Sequence, residues 1–139
     1  MYEPQIIEQT QIALIEALAK ATDEGRLNWI RTDPEQVKWK EGTVEQLYTM
    51  ISDEGIFATF ARMRDNSMEL LIQVQETGCY REYELNNANG AKVTEALRKL
   101  YYCLPSVSRM VEDFQDIVRR LDSSNPEPVE KDYSQQGQG

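Results

Sequence analysis

Between residues 68 and 75 the chain alternates apolar and polar side chains. Met68, Leu70, Ile72 and Val74 stand against Glu69, Gln73 and Gln75, and Leu71 alone interrupts the outer face. A period of two commits this stretch to a strand with one face in a core. Short turn clusters flank it, Arg64-Asp65-Asn66-Ser67 before and Glu76-Thr77-Gly78 after. Their side chains bond back to the local backbone, and connections this short join only antiparallel neighbours. Ile56 to Met63, with Ile56, Ala58 and Phe60 on one face, and Cys79 to Leu85 are therefore predicted as the flanking strands, with Asp53-Glu54-Gly55 as the turn before them.

Upstream the pattern is weaker. Leu27 and Trp29 alternate with polar neighbours, Pro34 interrupts, and Val37 and Trp39 alternate again, so Arg26 to Lys40 reads as a ragged edge strand or two short extended pieces. Gly42 to Tyr48 is ambiguous: Val44, Leu47 and Tyr48 allow a helical turn, while Leu47 to Ser52 allows a strand. Helical periodicity holds the two ends. From Pro4 to Thr22, Ile7, Gln11, Leu14, Ile15, Leu18 and Ala21 share a stripe, and Gly25 is a natural stop. Ala91 to Leu104 places Val93, Ala96, Leu97, Leu100, Tyr101 and Leu104 on one face. Pro105 breaks or kinks the chain, and Ser106 to Leu121 follows with Val107, Met110, Val111, Phe114, Ile117, Val118 and Leu121. Strands in one block with helices at both ends predict a two-layer α+β domain over residues 1–121. It has an N-terminal helix, an antiparallel meander of about four strands and two C-terminal helices. Residues 122–139 hold two prolines among polar side chains and read as a flexible polar tail.

The chain has no histidine, which removes Ser-His-Asp and Cys-His catalysis and most zinc, copper and haem sites. Its seven glycines are scattered and none opens a phosphate-binding loop, and the acidic turns do not continue into a calcium loop. No catalytic residue, metal ligand or cofactor is expected. The acids sit in turns or on presumed outer faces, and Cys79, beside Arg81, reads as a packing thiol. The net charge of −9 repels phosphate backbones, which argues against nucleic-acid and anionic-membrane partners. No apolar run approaches the ~20 residues of a bilayer span. Cys79 and Cys103 are far apart and in no metal-type spacing, so the cytoplasm is the expected compartment.

The aromatic residues carry the functional reading. Trp29 and Trp39 lie in the least regular segment, and Tyr101 and Tyr102 point about 100° apart on a helix, so one of them is exposed. Tryptophan and tyrosine bury large areas at low entropic cost in interface centres, although the favoured reading of both tryptophans is that they cap the core against the first helix. Trp29, Trp39, Tyr102, Met110, Phe114 and Ile117 are the candidate protein-contact residues. The last helix either packs on its own sheet or extends over a partner. Arg62 and Arg64, sharing one face of a regular strand with Arg81 nearby, are the candidate ligand-binding residues for a carboxylate or phosphate.

The stretch Leu18 to Arg31, a helix leaving through Gly-Arg-Leu-Asn-Trp, and the Leu100-Tyr101 register give the body, Glu8 to Leu121, a layout that resembles small bacterial α+β proteins of unknown function. In size, charge and the pairing of terminal helices with a sheet it is also similar to the acidic dimeric chaperones of bacterial secretion systems. These resemblances imply no activity and no catalytic residue. The expected function is a non-enzymatic cytoplasmic protein-interaction domain that binds another protein or itself, as a homodimeric adaptor or chaperone-like protein. The alternatives are an immunity- or antitoxin-like neutraliser of a basic partner, or a small-molecule-binding or enzymatic domain using arginines and carboxylates in a sheet pocket.

Overall fold

The computed structural model describes residues 1–124. Helix α1 (Pro4–Asp23) leads into strands β1 (Ile30–Thr32), β2 (Val44–Ile51), β3 (Ile56–Met63), β4 (Met68–Glu76) and β5 (Cys79–Leu85), and helices α2 (Ala91–Cys103) and α3 (Pro105–Ser124) close the order. The tail expected from Asp122 lies, from residue 125 on, outside the described residues, and the domain boundary expected at Leu121 falls inside α3. Backbone contacts divide the chain into two units, Met1–Pro105 and the residues from Ser106 onward.

The first unit is an α+β domain whose sheet has five strands, one more than expected, in the order β1-β2-β3-β4-β5. Every neighbouring pair is antiparallel. The added strand comes from the ambiguous segment: residues 44–51 are fully extended as β2, while the ragged Arg26–Lys40 piece contributes only the three-residue β1. Pro34 accounts for the shortness of β1. It opens a 3₁₀ turn, capped by the Asp33 carboxylate accepting from the Glu35 amide at 3.0 Å.

Register places Tyr48, Phe60 and Leu70 in one row and Met50, Ala58 and Ile72 in the next, all on the face that meets the helices. Ile15 and Leu18 of α1, and Val93, Leu97 and Leu100 of α2, pack against these rows in one continuous core, which Trp29 and Leu104 complete. The opposite face carries a smaller cluster, in which Val44, Leu47, Ala61 and Met63 lie under Val37 and Trp39. The 33–43 connection thus covers part of the sheet's back. β2 is buried on both faces as a result, and a β-bulge between Val44 and Gln46 puts Val44 and Leu47 on the same side.

The turns follow the chemistry of their residues. Asn66 and Gly78 take positive φ (74° and 82°) in the two hairpins flanking β4, where a β-branched residue would be strained. At the junction of α2 and α3, Leu104 is extended (ψ 154°) because the following proline disfavours helical geometry, and Pro105 then starts α3, whose first turn needs no amide donor from it. Among the described residues no helix is long and apolar enough to cross a membrane.

Candidate protein-contact site

Among the described helices α3 is the most amphipathic. Val107, Met110, Val111, Phe114, Ile117, Val118 and Leu121 recur at intervals of three and four, which keeps them on one stripe of an α-helix. Apart from the half-buried Val107 they are exposed, with Phe114 at 59%. Polar side chains fill the rest of the surface, and Asp116 accepts ion pairs from Arg119 at 3.5 Å and Arg120 at 2.6 Å. Among the candidate contact residues, Met110, Phe114 and Ile117 therefore lie together on one open face.

The aromatic candidates are scattered. Trp29 is buried at 6%, with its indole nitrogen donating to the Thr22 hydroxyl at 2.8 Å, so it caps the core against the end of α1 and offers no surface to a partner. Trp39 packs half-buried on the back of the sheet, with the Lys40 ammonium 5.9 Å from its ring centre. Tyr101 stacks on Phe60 and donates to Gln46 Oε1 at 2.7 Å, and burial raises the pKa of its phenol. Tyr102, as the helical geometry requires, is the exposed member of the pair.

The three arginines do not converge. Arg62 donates to Asn66 Oδ1 at 2.6 Å and pairs with Glu45 at 3.5 Å. Arg64 lies past the end of β3 and donates to the Gly42 carbonyl at 3.1 Å. Arg81 is ion-paired to Glu76. Arg62 sits opposite Met68 and Arg81 opposite Val74. That separation along β4 is about 20 Å at ~3.3 Å per strand residue, too far for one small ligand.

Two features escaped the sequence. Lys40, in left-handed backbone geometry (φ 50°), sets its ammonium 3.0 Å from Glu69 and 3.5 Å from Glu84. The Glu69 carboxylate, backed by Glu84, raises the Lys40 pKa against the smaller opposing effect of burial. This cluster ties the 33–43 connection to the sheet and borders clefts of about 590 Å³ and 540 Å³. The second feature is the Tyr48 phenol oxygen, which is fully buried and has no hydrogen-bond partner among the described residues. No local pattern announces either one, because both depend on pairings between segments distant in sequence.

Comparison with family models, with curated proteins and with solved structures finds no match to this chain.

Proposed function

We propose that the chain is a non-enzymatic protein-interaction module of the cytoplasm and that α3 is its contact helix. The observation that carries this reading is the exposed apolar stripe of α3, none of whose residues belongs to the core of the first unit, whose members run from Ile15 to Leu104. A run of large apolar side chains in water is unfavourable by roughly 25 cal/mol per Å², and rims of mixed charge around such a patch mark an association surface. The scattered arginines give no comparable support to the small-molecule alternative.

Photo-crosslinking tests the reading. A benzoyl-phenylalanine at Phe114 is compared with one at Glu112, which lies about 200° around the helix at 100° per residue. The expected result is an adduct to one defined protein, this chain included, at position 114 and not at 112. Equal or absent adducts at both positions would overturn the assignment.

A further inference from the structure

The α3 stripe has a heptad grammar that specifies its occupant. With Val107, Phe114 and Leu121 as the first core position and Met110 and Ile117 as the second, one flank carries Val111 and Val118 and the other carries Asp113 and Arg120. We propose that a second copy of this chain covers the stripe, with the two α3 helices antiparallel and Asp113 of each copy facing Arg120 of the other. This rests on the reading of α3 as a contact helix.

Orientation follows from the flanks. In an antiparallel pair each flank meets its own counterpart, so valine meets valine on one side and aspartate meets arginine on the other. In a parallel pair each flank meets the opposite one, which sets Asp113 against Val118 of the second copy and leaves a carboxylate on an apolar surface. Two-fold symmetry makes every contact occur twice. The register that centres the helix seats Phe114 against Ile117 and Met110 against Leu121, and it brings Asp113 to the level of Arg120. Arg120 already pairs with Asp116 of its own helix, so in the dimer its guanidinium lies between two carboxylates. Opposed helix dipoles favour the same orientation.

The test is sedimentation of the full chain from about 1 µM to about 200 µM, the range over which a short two-helix contact of this kind dissociates. The wild type is expected to shift from monomer to dimer. Asp113→Arg and Arg120→Asp, each creating two like-charge contacts, should each raise the dissociation constant about tenfold. Their equimolar mixture should restore wild-type affinity as a heterodimer, because each altered residue then faces its complement. The mixture also controls for changes within the helix, since each chain keeps its own altered α3. A monomer at every concentration, reversals without effect, or a mixture no tighter than its parts would each overturn the proposal. A defined heterologous adduct at position 114 from a monomeric chain would sink the second copy and leave the contact-helix reading standing.

Discussion

α2 and α3 are neighbours in sequence and follow the same rule of apolar residues every third and fourth position, yet their apolar faces have different surroundings. Val93, Ala96, Leu97 and Leu100 of α2 are between 0% and 6% exposed, whereas Met110, Val111, Phe114, Ile117 and Val118 of α3 are between 43% and 59% exposed. The α2 face includes an alanine, and a small side chain lets a helix lie close on a sheet. The α3 stripe has only bulky residues and carries acids and arginines along its edge, which suits the proposed contact with a second helix. Periodicity states that a face requires cover. The residue sizes and the flanking charges indicate what kind of cover.

The strongest way to sharpen the contrast is to truncate one aromatic from each region. Phe60 is fully buried between the sheet and α2, and Phe60→Ala should cost about 3–5 kcal/mol, enough to lower Tm by ten degrees or more in thermal unfolding. Phe114→Ala should change Tm by no more than about 0.5 kcal/mol's worth in dilute solution. Comparable losses from both would merge the two regions into one core.

The back of the sheet is the intermediate case. Lys40→Met removes the ammonium beside Glu69, whose side chain is only 13% exposed. It should destabilise the first unit by about 1–3 kcal/mol at neutral pH, as expected for a poorly solvated carboxylate left without its partner. The pH dependence fixes the sign. The Lys40 pKa is raised in the folded state, so its stabilisation is fully present below the ordinary value of 10.5 and is lost as pH rises through the folded one. The Tm difference between wild type and Lys40→Met should therefore be constant from neutral pH up to 10.5 and shrink above it. A difference that is flat across that range would remove the Lys40–Glu69 pair from the account.

The smallest expected effect is at the end of α1. Thr22→Val deletes the acceptor of the Trp29 indole and should cost about 1 kcal/mol, read as a few degrees in Tm. No change would mean that the indole is held by packing alone.

What was legible in the sequence divides along the same line. The alternation of Met68 to Val74 and the stripes of α1, α2 and α3 were readable because each has one apolar face and one polar face. β2 was ambiguous because Tyr48 and Met50 face the helices while Val44 and Leu47 face the 33–43 connection, which erases a period of two. Leu71, which interrupts the alternation of β4, is a buried residue on that same back face, opposite Thr59. Of the candidate contact residues, Met110, Phe114 and Ile117 share one helix, so spacing alone grouped them. Trp29, Arg62 and Arg81 required the strand register and side-chain pairing, which only the fold supplies.

The central claim, that the α3 face serves association and not the core, is tested most directly by Phe114→Asp in the full chain, with circular dichroism, thermal unfolding and sedimentation measured on the same sample. The variant is expected to keep an unchanged spectrum and a Tm within about 2 °C of wild type at dilute concentration, and to lose self-association. An unfolded chain, or a folded one that associates as before, would contradict it.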